Sequence, residues 1–168
     1  MSLDNIRLSP IAIQAIYKNN LIAEKKTKTP SKPDKAAISL TILGNNKQKI
    51  LILIKNDEAL YLPDDELTFL TGILAACKLT LEDVAILNTH KNKNISFVSI
   101  TKELQAQKVL LFGVTATDIQ LPVEFPLYSI ESYNEQAYLA APELSIVQND
   151  KIEKTRLWLS LKQLFSII

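Results

Sequence analysis

Residues 138–165 read YLAAPELSIVQNDKIEKTRLWLSLKQLF. The stretch divides into a short apolar run, an Ala-Ala-Pro turn, an acidic spacer and a helix or helix pair. In the helical part Leu157, Leu161, Leu164 and Ile168 recur at helical spacing. Trp158 and Phe165 lie seven apart on an adjoining stripe. A strand that runs straight into a helix through a proline turn is one half of an alternating α/β pattern, so the question becomes whether the rest of the chain alternates too.

It does. QKVLLFGV at 107–114 reads as a fully buried strand, and SFVSITKELQA at 96–106 before it as a helix. VAILN at 84–88 is a second buried strand, entered through a short turn (LEDV) that Thr80 caps. Pro63-Asp64-Asp65-Glu66 opens a helix continuing through LTFLTGILAACK, with acids near its positive end. Further upstream AAISLTIL (36–43), Gly44-Asn45-Asn46 and KQKILILIK (47–55) predict a β-hairpin, because Gly and Asn tolerate the positive φ of a tight turn. FPLYSIE (125–131) and QAYLAA (136–141) are two further short strands. Strands alternating with helices predict an α/β fold, a three-layer α/β/α sandwich around a mostly parallel sheet.

This core begins near residue 36, and residues 1–35 read differently. Ser9-Pro10 is a helix start, and Ile11, Ala12, Ala15 and Ile16 form an apolar face that Leu21 and Ile22 extend. Residues 24–35 then carry five Lys against Glu24 and Asp34, with Pro30 and Pro33. The expected organisation is an N-terminal helical arm with a Lys-rich linker (1–35) and an α/β domain (36–168).

Composition sets further bounds. The chain has 168 residues, 47% apolar and 22% charged, with a net charge of +1. That balance fits one domain with a sizeable core, and no whole-chain field draws it to nucleic acid or acidic lipid. A single cysteine, Cys77, excludes an internal disulfide and fits a reducing compartment. No apolar run approaches the roughly 20 residues of a membrane span, and MSLDNIRLSP has no signal-peptide pattern. A soluble, cytoplasmic protein is expected. Three glycines leave almost no room for a Gly-rich phosphate loop.

Taken together, LTLEDVAILN (79–88), QKVLLFGV (107–114) and the 138–165 stretch resemble the psi subunit family of the bacterial DNA polymerase III holoenzyme. The resemblance spans roughly residues 49–168, and its third piece has the most distinctive spacing. The arm IAIQAIYKNNLI (11–22) is similar to that family's N-terminal clamp-loader-binding segment. The resemblance implies a fold like uracil-DNA glycosylase with the catalytic residues lost. VAILNTH, VLLFGV and AAPELS fall in the order of three glycosylase motifs. A glycosylase would follow its first strand with a Gly- and Pro-containing loop bearing a water-activating Asp, where Asn88-Thr89-His90-Lys91 stands here. Its last motif would hold His-Pro-Ser, where Ala141-Pro142-Glu143 stands. The groups needed to position water and stabilise a departing base anion are missing from those places.

The resemblance therefore implies a non-enzymatic replisome accessory protein with no cofactor and no metal. Its partners would be clamp-loader subunits, met by Ile11, Ile13, Ile16, Tyr17, Leu21 and Ile22, and a chi-like second subunit. No sequence-specific nucleic-acid contact and no membrane contact is expected. The alternatives are a divergent enzyme of the glycosylase superfamily working around Asn88 and His90, and an interaction domain of another kind.

Each remaining candidate has a functional and a plain structural reading. His90 is either a general base or a loop histidine in solvent. Cys77 is either a nucleophile or a small core residue on an apolar helix face. Asp57, Glu58, Asp64, Asp65 and Glu66 form either a metal or acid–base cluster, or helix-start charges and a solvated rim. The Lys-rich 24–35 stretch lacks aromatic residues and Arg, which favours a tether over a phosphate-binding segment. Trp158 and Phe165 are core residues, or Trp158 is an interface anchor if its helix lies at the surface.

Overall fold

The computed structural model describes residues 40–93 and 96–167. The arm and linker, with Ile11, Ile13, Ile16, Tyr17, Leu21 and Ile22, lie outside the described residues. Within them the chain forms six strands and four helices. The strands are β1 (Ile42–Leu43), β2 (Ile50–Ile54), β3 (Val84–Asn88), β4 (Lys108–Phe112), β5 (Ile130–Tyr133) and β6 (Gln136–Ala141). The helices are α1 (Asp64–Ala76), α2 (Phe97–Leu104), α3 (Leu144–Asn149) and α4 (Lys151–Leu164).

All six strands join one mixed sheet in the order β1-β3-β2-β4-β6-β5. The four inner strands are parallel, and β1 and β5 are antiparallel edges. The sequence of β2, ILILI, explains its central place. Every residue of it is buried, so both faces of the strand need cover. Its isoleucines, Ile50, Ile52 and Ile54, point into one apolar cluster, and Leu51 and Leu53 point into another. In register, Ile52 sits beside Ile86 on β3 and Leu110 on β4.

The hairpin expected over 36–55 does not form. β1 pairs with β3, Ile42 opposite Leu87, and β2 lies on the other side of β3. The loop between β1 and β2 runs across the start of β3 instead of folding back. Asn46 N donates to Val84 O at 3.0 Å, and Gln48 N donates to Asp83 O at 2.9 Å. Gly44 makes this crossing possible, because at φ +104 a Cβ there would fall 2.2 Å from Val84 O. Gly44 and Asn46 do take positive φ, but the tight turn falls at Lys47-Gln48 and the loop connects non-adjacent strands.

The strand expected at 125–131 also moves. Pro126 has no N–H to offer and Tyr128 sits at φ 64, so extended structure resumes only at Ile130. Only an isolated bridge joins Leu127 to Ala140 before it. The other expected elements stand close to where they were placed. The terminal segment becomes two helices. Asp150, extended at φ −113, breaks the run and caps α4 by accepting from Ile152 N and Glu153 N. Leu157, Leu161 and Leu164 are buried as their spacing predicts, while Ile168 lies outside the described residues.

Helices α1, α3 and α4 supply Leu70, Leu74, Leu144, Val147 and Leu161 to the isoleucine side of the sheet. Helix α2 supplies Phe97 and Ile100 to the leucine side, joined by Val114 and Ile119 from the segment after β4. Cys77 belongs to the first cluster, and burial pushes its thiol pKa up, as suits a core residue and not a nucleophile. No helix among the described residues is long and apolar enough to cross a membrane.

Candidate functional site at the carboxyl edge of the sheet

The parallel strands all end at one edge of the sheet, which delivers four connections there: 55–63, 89–96, 113–129 and 142–143. After β2 the chain passes to α1 on the isoleucine side, and after the neighbouring β4 it packs on the leucine side. Such a reversal between adjacent strands is where open α/β sheets place their ligands.

Here that crevice is nearly closed. It holds ≈ 40 Å³ among Lys55, Asn56, Glu66, Phe112, Glu143 and Ser145, about the space of a single water. Glu143 is the plug. Gly113, at φ +65, ends β4, and a Cβ on it would meet the Glu143 side chain at 2.4 Å. The Glu66 carboxyl is pushed up in pKa by its burial and then by the neighbouring Glu143 charge. Asp64, Asp65 and Glu66 occupy the first turn of α1, in keeping with their reading as helix-start charges.

Asn88, the last residue of β3, is fully buried at 0% exposure. Its Oδ1 accepts from Asn56 N at 3.2 Å and from His90 N at 3.0 Å. Its Nδ2 donates to Asn56 O at 2.7 Å and to Ala59 O at 3.0 Å. An amide has two donors and one oxygen, and all are engaged. Asn88 is therefore a clip that holds the 56–59 loop on the sheet, with no hydrogen bond left for a substrate.

His90 is less solvated than a free loop histidine. Its Nδ1 lies 2.6 Å from Asp57 Oδ1, and its side chain is 30% exposed. Its Nε2 lies 3.2 Å from Lys93 Nζ. The carboxylate requires the proton on Nδ1, and the ammonium requires Nε2 to accept. A general base presents that second nitrogen to substrate, whereas here Lys93 already occupies it. Lys91 Nζ donates to Asp57 O at 2.8 Å and steadies the same corner.

Beside this pair opens a larger cleft of ≈ 160 Å³. Leu53, Leu87, Phe97, Ile100 and Ile119 form its floor, and Lys55, His90, Lys93 and Asp118 stand at its rim. Lys55 bridges to Asp118 at 3.3 Å. The backbone amide and hydroxyl of Thr115, followed by Lys55, hold the Asp118 carboxyl below its ordinary pKa. Among the described residues no group of three His, Cys, Asp or Glu side chains is placed to hold a metal ion.

A second candidate lies on the helices. Phe69 and Ile73 of α1 face Lys154, Leu157, Trp158 and Leu161 of α4 across a shallow apolar groove of ≈ 150 Å³. Trp158 and Phe165 are half-buried at the margin of the core, so the interface reading of Trp158 stands beside the core one. Lys154 Nζ rests 5.5 Å from the centre of the Phe69 ring.

The structure brings together two residues that the sequence presented separately, Asp57 and His90, 33 positions apart. The only local hint was a polar residue, Asn88, closing an otherwise apolar strand. No protein-family model matches the chain, and no curated protein matches it either.

Proposed function

We propose that the protein is a non-enzymatic replisome accessory protein of the psi type, with a three-layer, glycosylase-like α/β/α domain whose catalytic residues are absent. In this reading Ile11, Ile13, Ile16, Tyr17, Leu21 and Ile22 form a peptide ligand for the clamp loader, and the domain carries a chi-like second subunit. The observation that carries it is the closed crevice at the strand-order reversal, where ≈ 40 Å³ remains beside Ala141-Pro142-Glu143. An enzyme working in this crevice would need room in it for a flipped base, and a single water fills it. Burial of four or five arm side chains at about 1.5–3 kcal/mol each would support micromolar binding after ordering costs. The test is to mix full-length protein with the clamp loader of its own organism. A complex that Ile16→Asp with Tyr17→Ala abolishes supports the reading, and no complex with the unaltered chain overturns it.

One observation favours a second reading, a divergent glycosylase-superfamily enzyme. The first parallel strand along the chain is β2 and not β3, so the loop after the first strand is 55–63, which carries Asp57 beside His90. Turnover of uracil- or hypoxanthine-containing DNA that His90→Ala abolishes would establish this reading in place of the first.

A further inference from the structure

We propose that the outer face of helices α1 and α4 binds a second copy of this chain, with α1 of each copy lying on α4 of the other. Helix α4 supplies the raised half of the contact. Ile152 and Leu159 are 63% and 62% exposed, the highest values of any large apolar side chain among the described residues. They stand seven apart, so two turns of the helix bring them onto one stripe. Trp158 and the apolar groove toward Phe69 and Ile73 continue that stripe sideways. The apolar surface is therefore contiguous and not scattered.

Helix α1 supplies the flat half. Between Glu66 and Lys78 it carries no charged residue, and Thr68, Gly72, Ala75 and Ala76 are exposed. A solvated helix face ordinarily carries charges. Glycine also weakens a helix interior, and nothing in the surrounding fold requires one at Gly72, where an added Cβ would meet no atom within 4 Å. These low side chains leave room for Ile152 and Leu159 of a second copy.

Charge selects that occupant. Lys151, Lys154 and Lys162 make no ion pair among the described residues. The acids nearest them are engaged, Asp150 with its own helix amides and Glu153 with Tyr128 and Arg156. Helix α4 is thus basic outward. Helix α1 is acidic at its start, where Asp64 and Asp65 are exposed and likewise unpaired among the described residues. Two α4 helices laid together would set lysines against lysines, whereas α1 on α4 sets acids against lysines. The directions agree with this. Both helices run back from the carboxyl edge of the sheet: α1 ends at the turn into β3, and Phe165 after α4 meets Lys108 at the start of β4. Lys154 reaches Phe69, so the two helices are level. A two-fold axis along them places Asp65 of each copy beside Lys151 of the other. The contact uses neither the arm nor whatever the arm meets, so it stands or falls apart from the psi-type reading.

The experiment is sedimentation equilibrium of full-length protein from about 1 μM to about 300 μM. A monomer–dimer equilibrium is expected, and Leu159→Glu should weaken it about tenfold. Gly72→Gln should weaken it as much while raising the melting temperature of dilute protein, since a good helix former replaces glycine without a clash. Asp65→Lys and Lys151→Glu should each weaken it about threefold, and the two together should restore it. A monomer throughout the series, a dimer indifferent to Leu159→Glu and Gly72→Gln, or no rescue by the paired charge exchange would each overturn the proposal.

Discussion

The two faces of the sheet are covered in different ways. On the isoleucine side three helices lay aliphatic side chains over the strands, and Leu70, Val147 and Leu161 are all but inaccessible. On the leucine side the described residues supply one short helix and an irregular segment, and aromatic rings fill the space beside them. Phe125 stacks on Tyr138 with centroids 4.6 Å apart, and Phe97 and Tyr133 approach the same ring at 6.3 and 6.5 Å. Thinner cover leaves space. The ≈ 160 Å³ cleft and a second groove of ≈ 300 Å³ beside Tyr138 both lie on this side. The helix-rich side leaves its recess between helices, at Phe69 and Trp158, away from the strands. Among the described residues one face is therefore closely packed, and the other keeps recesses beside the strands.

Truncation on the packed face should sharpen this contrast most. Leu70→Ala is expected to cost about 4 kcal/mol, because Leu70 is 0% exposed and its closed surroundings cannot collapse around the lost methyls. Ile119→Ala, beside an existing cleft, should cost about half of that. Urea denaturation of both variants measures the gap, and equal losses would break the comparison.

Next in size is the clip at the carboxyl edge. Asn88→Ala removes four hydrogen bonds and strands the Asn56 and Ala59 carbonyls, for about 3 kcal/mol of lost stability. Urea denaturation again reads it. A near-neutral result would mean that water substitutes for the amide, and that the edge is more open than its geometry indicates.

The aromatic face carries its own pH signature. Burial, followed by the neighbouring Tyr133, pushes the Tyr138 hydroxyl up to about 12. A raised folded-state pKa means that this stability is fully present below the unfolded value near 10. It is lost as pH rises from about 10 to about 12, up to about 2–3 kcal/mol. Melting curves across that range should show the loss, and Tyr138→Phe should flatten it. Tyr128 shifts upward too, through burial and its bond to Glu153, so some alkaline sensitivity survives in the variant.

How far these features could be read from the sequence depended on how far apart their parts lie. The strand ILILI, the α1 start at Asp64-Asp65-Glu66 and the α4 leucines follow local patterns and were legible. The partner of β2 was not, since an apolar run beside Gly44-Asn45-Asn46 looks the same whether the next strand is adjacent or one strand away. Asn56 with Asn88, and Asp57 with His90, meet across more than thirty residues. Their side chains follow no helical or strand period, so no periodicity could have joined them. Trp158 was visible as an aromatic residue on a helix, but its groove needed Phe69 and Ile73 from another element.

The smallest stability effect should come from His90→Ala. The Asp57 pair is at the surface, and its loss should cost under about 1 kcal/mol in thermal unfolding. That leaves His90 available for a clean test of catalysis, since a folded variant can be compared directly with the unaltered protein on damaged DNA.

The measurement closest to the central claim is association with the clamp loader, followed by size-exclusion chromatography and titration calorimetry. Full-length protein should form a complex, and Ile16→Asp with Tyr17→Ala should form none while keeping its melting temperature. No complex with the unaltered chain, or an equal complex with the variant, would contradict the account.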